Sequence, residues 1–198
     1  MKSKSRLDAG QFLDLNTYEK VRAEKRAEIT DIKRRRRLAV GPYASVFFES
    51  YDTIWYQIQE MLRVEKGGKE QLEQEIEAYN DLVPNGSELV ITLMFEIPDA
   101  KMRAKILAVL GGVEETVTLL IGNEKIYAVA EDDVERSNSS GKASSVHFLH
   151  FPLTSEQAVL FRNFGENIFV GVEHPNYGHI AAVPDVMRKE LSMDLSPA

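Results

Sequence analysis

The sequence predicts an α+β fold: a mainly antiparallel sheet of about six strands, flanked by helices and entered through a long basic N-terminal helix. Three observations carry this prediction. Short apolar runs alternate at period two, as half-buried strands do. Those runs are joined by tight turns or by single helices in mixed order, which argues against a regular βαβ repeat. Residues 18–37 contain neither Gly nor Pro. With 198 residues, 43% of them hydrophobic, the chain can build one core, with or without an arm.

The elements follow in order. Asn16 and Glu19 have the spacing of a capping box, with Thr17 as an alternative cap. The helix they open carries a narrow apolar stripe of Tyr18, Val21, Ile29 and Ile32, and ends on Arg34-Arg35-Arg36-Arg37, where cations complement the helix dipole. This divides the chain into a leader and basic helical arm, residues 1–37, and a single α+β domain, residues 38–198. Residues 38–49 read as an extended segment broken near Gly41-Pro42. Residues 52–65 form a helix with Ile54, Ile58, Met61 and Leu62 toward the core. Gly67-Gly68 stops it, and residues 69–82 form another along Leu72, Ile76 and Tyr79.

Pro84-Asn85-Gly86 is a turn, and residues 88–97 are a strand. Pro98 suits the first turn of a helix through Met102, Ile106 and Val109, which Gly111-Gly112 ends. Residues 114–121 and 125–130 pair as a hairpin through Gly122-Asn123-Glu124. The Ser-rich, acidic stretch 131–145 is expected to be a mobile loop. Residues 145–151 are a strand, Thr154 with Gln157 caps a short helix, residues 167–172 are the last clear strand, and residues 184–191 are a final helix.

The net charge of −7 conceals a split. Residues 1–37 hold 12 Lys or Arg against 6 Asp or Glu, a balance of +6, whereas residues 38–198 hold 12 against 25, a balance of −13. Such asymmetry marks an arm with its own partner, or one that lies on the acidic body or on a neighbouring subunit of a homo-oligomer. Arg34, Arg35, Arg36 and Arg37 are its candidate interaction residues. Nucleic acid is not the expected partner. Four consecutive helical residues point around the whole helix, the body is acidic, and no aromatic platform or helix-turn-helix pattern accompanies them. The chain has no Cys, which excludes disulfides, thiolate zinc sites and cysteine-ligated clusters within it. No apolar run reaches the roughly 18 residues of a membrane helix, and the charged N-terminus does not fit a signal peptide; the expected location is the cytoplasm.

Two constellations could carry chemistry. All four histidines lie between positions 147 and 179. His147, His174 and His179, with Glu173 as an oxygen ligand, form a candidate metal set. His147 and His150 are three apart on a strand and face opposite sides, so only one of them can join. The competing reading is that these histidines are structural. The second constellation lies on helix 52–65, where Tyr56, Gln59, Glu60 and Arg63 are i,i+3 or i,i+4 neighbours and Gln57 lies on an adjoining face. In a cleft, Glu60 could act as a base or metal ligand and Arg63 as an anion clamp. Against this stands an ordinary solvated face with a Glu–Arg pair. Glu70, Glu73 and Glu77 read as a solvated acidic face or a dock for the arm. A phosphate-cradling Gly-rich loop is missing.

Several blocks, taken in order, carry a resemblance: Arg37-Leu38-Ala39-Val40-Gly41-Pro42, Phe48-Glu49, Gln57-Ile58-Gln59-Glu60-Met61-Leu62-Arg63, Glu77-Ala78-Tyr79-Asn80, Pro84-Asn85-Gly86, Val146-His147-Phe148-Leu149 and His174-Pro175-Asn176-Tyr177-Gly178-His179. Over nearly its whole length the chain resembles the uncharacterised bacterial family termed domain of unknown function three-five-zero-one. His150 stands where that family is expected to have arginine. The resemblance implies no established activity. Its gene neighbourhoods imply a redox or oxidative-stress setting, with a rubrerythrin-like or iron–sulfur oxidoreductase partner. Two readings follow: a metal- or cofactor-binding accessory, with iron, manganese or zinc the metals to seek, or a non-catalytic interaction protein docking through its basic helix.

Overall fold

Hairpins dominate the connectivity, and they build two antiparallel sheets in the computed structural model, which describes residues 5–131 and 143–196. The first sheet runs β1 (Arg37–Val40), β2 (Ala44–Phe48), β3 (Glu88–Phe95), β7 (Val146–Pro152) and β6 (Val129–Ala130) in spatial order. The second runs β5 (Glu124–Tyr127), β4 (Val117–Ile121), β8 (Ile168–His174) and β9 (Tyr177–Ala182). The α+β class, the antiparallel pairing and the long N-terminal helix are as expected. The strands, nine among the described residues, divide between two sheets.

Strand alternation decides which faces meet. Val46, Leu93 and Leu149 on the first sheet and Leu119, Val170 and Val172 on the second are all buried in one hydrophobic cluster. Helices α5 (Ser155–Arg162) and α6 (Asp185–Leu191) add Ala158, Phe161, Met187 and Leu191 to it. The opposite face of the first sheet presents Val90 and Phe148 to a second cluster containing Ile54, Ile58, Leu82 and Val83. That cluster is the underside of a helical layer, formed with α2 (Tyr51–Glu65) and α3 (Gly68–Tyr79) and with α1 (Leu15–Arg35) packed against α2. The remaining helix, α4 (Ala100–Leu107), follows β3.

Local chemistry explains where boundaries moved. Asp14 caps α1, its carboxylate accepting from the N–H groups of Asn16 and Thr17, so the helix starts before the expected Asn16 box. It ends at Arg35, and the four arginines straddle a helix end, a cap and the first residue of β1. Asp99 caps α4 and leaves Pro98 outside it. Residues 114–116, expected as strand, belong to a 3-10 turn. Segment 125–130 splits, with Val129 and Ala130 leaving β5 to pair with β7 in the other sheet. The segment after residue 172 is a hairpin, because β8 continues to His174 and β9 returns from Tyr177. The expected mobile loop at 131–145 falls mostly on positions 132–142, outside the described residues. Among the described residues no helix is long and apolar enough to cross a membrane.

Candidate functional site

The polar face of α2 holds the arm. Glu60 accepts from the Tyr18 hydroxyl (2.6 Å) and, bidentately, from Arg22 Nε and Nη2 (2.9 and 2.8 Å). These bonds, Arg22's first, keep the Glu60 carboxyl below its ordinary range despite partial burial. Burial and the adjacent Glu60 raise the Tyr18 phenol well above its usual value, and the same two causes raise Tyr56. Arg63 pairs with Glu19 at 2.6 Å. Gln59, buried, clamps the backbone of Leu13: its carbonyl accepts from Leu13 N–H (2.9 Å) and its amide donates to Leu13 C=O (3.1 Å). Trp55 stacks on Phe12 and donates to the Gln11 carbonyl. Tyr56, Gln59, Glu60 and Arg63 therefore form a latch beneath α1, and Gln57 alone points elsewhere.

The four expected metal ligands are not brought together. His147 is buried between the sheets on the row of Leu93 and donates from Nε2 to the Ser144 carbonyl at 3.0 Å. His174 donates from Nε2 to the Gly111 carbonyl and accepts from Asn176 N–H at Nδ1. His179 lies against Tyr177, ring centroids 4.4 Å apart. A series of ring contacts runs from His147 to Phe95, from Phe95 to Tyr177 and from Tyr177 to His179. Glu173 is exposed and paired with Lys125. Among the described residues no group of three or more His, Cys, Asp or Glu is placed to hold a metal. His150 does face away from His147, as strand period requires, and sits between Glu88 (2.9 Å) and Glu131 (2.5 Å).

All four arginines make ion pairs within the chain. Arg35 pairs with Asp31 and with Glu190 on α6. Arg36, 3% exposed, makes a bidentate pair with Asp194 (2.7 and 2.8 Å), approaches Glu190 and donates to the Glu49 carbonyl. Burial pulls its guanidinium down, yet the Asp194 and Glu190 carboxylates outweigh that and leave it raised. Arg37 donates to Glu96 and Ser45. Arg34, paired with Asp31, keeps its side chain 78% exposed.

Beside Arg36 lies a feature that local sequence did not signal. Between the last turn of α1, helix α2 and the outer face of the first sheet is a cavity of about 340 Å³. The register puts Phe47, Thr92 and Phe148 in one row of that face and Met94 and Val146 in the next. These apolar side chains form its walls. Glu49, 7% exposed, lines it, with Oε1 accepting from Thr92 and Oε2 from Thr53, both at 2.6 Å. Gln57 and Lys33 complete the polar lining. The clue was the order Phe48-Glu49-Ser50, an acid wedged between an apolar strand and a helix cap, with Thr53 four residues on.

Comparisons with known proteins agree with this picture of a fold without an assigned chemistry. A family model described as "Protein of unknown function (DUF3501)" matches residues 6–195. A crystal structure of a novel protein of unknown function from Burkholderia pseudomallei K96243 is 35% identical, with a TM-score of 0.88 over 96% of this chain and 99% of that one. No curated protein matches.

Proposed function

The chain belongs to the DUF3501 family of proteins of unknown function, and we propose that it is an accessory protein that binds a small organic molecule in the cavity beside Glu49. One observation carries the reading. Glu49 is a buried carboxylate facing a cavity, and among the described residues it has no ion-pair partner. Burying a charge is costly unless it is paired. Two threonine hydroxyls occupy one lone pair on each oxygen and leave acceptor capacity for a ligand. The volume and the mix of apolar walls with a few convergent polar groups are those of small-molecule sites. A metal-bearing accessory would need three gathered ligands; the organic-ligand reading needs only what the cavity holds.

The test is a thermal-shift panel of small amines, carboxylates, zwitterions and soluble cofactors, run on the wild type and on Val146→Trp, which fills the cavity. A binder at about 100 times its Kd stabilises by about 2.7 kcal/mol, about 5–10 °C for a chain of this size. That shift is expected in the wild type and not in Val146→Trp. The reading is overturned if no compound separates the two proteins.

A further inference from the structure

We infer that the molecule bound beside Glu49 is a small zwitterion of the amino-acid type with an apolar side group, its ammonium on Glu49 and its carboxylate at Lys33. This rests on the small-molecule reading of the cavity and names its ligand class.

The charge inventory around the cavity leads there. Arg36 also lines the cavity, but its guanidinium is committed to Asp194 and Glu190 and reaches the Glu49 backbone carbonyl, not its carboxylate. Thr53 and Thr92 give the Glu49 carboxylate dipoles but no charge. A ligand ammonium supplies the missing cation, and the phenyl faces of Phe47 and Phe148 in the walls suit a cation as well as an apolar group. One face of Phe47 already carries the Arg37 guanidinium, 5.6 Å from its centroid.

A simple amine leaves the second charge unanswered. Lys33 also lines the cavity, is exposed, and makes no ion pair among the described residues. An amine alone would place a second cation near it, and a carboxylate alone would place an anion against Glu49. A molecule with both charges answers both. The size suits such a molecule: a sphere of 340 Å³ is about 9 Å across, and an ammonium and carboxylate on one carbon, with a hydrogen bond of about 2.8 Å at each end, span about the same. Met94, Val146 and Phe148 then receive the side group, and the Gln57 amide can serve either charged end.

Isothermal titration with L-phenylalanine, L-leucine, 3-phenylpropanoate and 2-phenylethylamine tests this on the full chain. At least one amino acid should bind, and each single-charge analogue should bind tenfold or more weaker than L-phenylalanine. Lys33→Met, an exposed change, should lower L-phenylalanine affinity to that of 2-phenylethylamine and leave the amine's own affinity no weaker. Glu49→Gln, checked for folding by circular dichroism, should lower it to that of 3-phenylpropanoate. Binding unchanged in Lys33→Met overturns the assignment even if Glu49→Gln does not fold. A single-charge analogue that binds as tightly as the amino acids overturns the ligand class, as does failure of both amino acids while some panel compound still separates the wild type from Val146→Trp. If nothing in the panel separates them, the cavity reading falls as well.

Discussion

Replacing Glu60 with alanine should loosen the arm, and the size of the loss follows from what Glu60 holds. Its Oε1 receives the hydroxyl of Tyr18, a side chain with no solvent exposure. Alanine leaves that hydroxyl without its acceptor, at a cost of about 1–3 kcal/mol. The Arg22 pair reaches solvent and adds little beyond this. A loss of about 2 kcal/mol corresponds to about 4–8 °C in Tm for a chain of this length. The assay is denaturation followed by circular dichroism and by Trp55, the only tryptophan, whose ring stacks on Phe12 and whose N–H donates to Gln11 in the leader. Release of the arm should change its fluorescence before global unfolding. A cycle of Tyr18→Phe with Glu60→Ala should show coupling, because both remove the same bond. Since the folded Glu60 pKa lies below its unfolded value of 4.5, this stabilisation is present above that value and lost as pH falls through the folded one. A Glu60→Ala protein as stable as the wild type, with unchanged Trp55 emission, would refute the latch and return Glu60 to the list of chemical groups.

Three further outcomes are expected. Burial depresses His150, but hydrogen bonds and charge from Glu88 and Glu131 outweigh it and raise the folded pKa above 6.5. Its contribution should therefore be complete below that value and fade as pH rises through the folded pKa, a slope that urea midpoints should show in the wild type and not in His150→Asn. Gly41→Ala should cost about 2–4 kcal/mol, since φ is +75° there and the new Cβ would overlap the His179 ring and lie 2.8 Å from the Tyr177 hydroxyl; His179→Ala in the same chain should restore the part due to the His179 ring and not the parts due to φ and to Tyr177. Arg36→Met should destabilise by about 3–5 kcal/mol by leaving Asp194 buried and unpaired, and adding Asp194→Leu should recover most of that in denaturant titrations.

What could be read from sequence was whatever is decided within a few residues. The Thr154–Gln157 capping box and the opposite facing of His147 and His150 are of this kind, and the structure has both; α2 does end at Glu65, but its left-handed cap is Lys66, and Gly67 and Gly68 open α3 instead. The α2 cluster was legible as a cluster, because i,i+3 and i,i+4 spacing is local, but its purpose was not. Gln59 meets Leu13 and Glu60 meets Arg22, partners 46 and 38 residues away, which no local pattern encodes. Arg36 looked like one of four equivalent cations, yet Asp194 lies 158 residues on. Strand β9 was not foreseen, since residues 167–172 read as the last clear strand; Pro175 and Asn176 form the turn of a hairpin, and Gly178 pairs with Glu173 in it. Glu49 was the least visible. A lone acid after an apolar strand carries no motif, and its significance depends on Thr92, 43 residues away, standing on the adjacent strand.

The charge split takes on a physical meaning through these contacts. Arg35 and Arg36 reach Glu190 and Asp194 at the C-terminal end, Arg22 reaches Glu60 and Arg37 reaches Glu96, so much of the arm's positive balance is matched by the acidic body of the same chain. The last turn of α1 and its cap, which carry the Arg35 and Arg36 pairs, also present Lys33 and Arg36 to the cavity. The ion pairs that seat the arm thus also form one wall of the site. A ligand joining Lys33 on α1 to Glu49 after β2 would tie the arm to the sheet a second time. Whatever binds only the docked arrangement stabilises it by its own binding free energy, and whatever weakens the latch weakens binding by the factor by which it lowers the docked fraction, because the two equilibria share one arrangement of α1. The Tyr18–Glu60–Arg22 latch, whose Glu60 was first read as possible chemistry, would then act on the proposed site indirectly, by deciding how much of the protein has a cavity to offer.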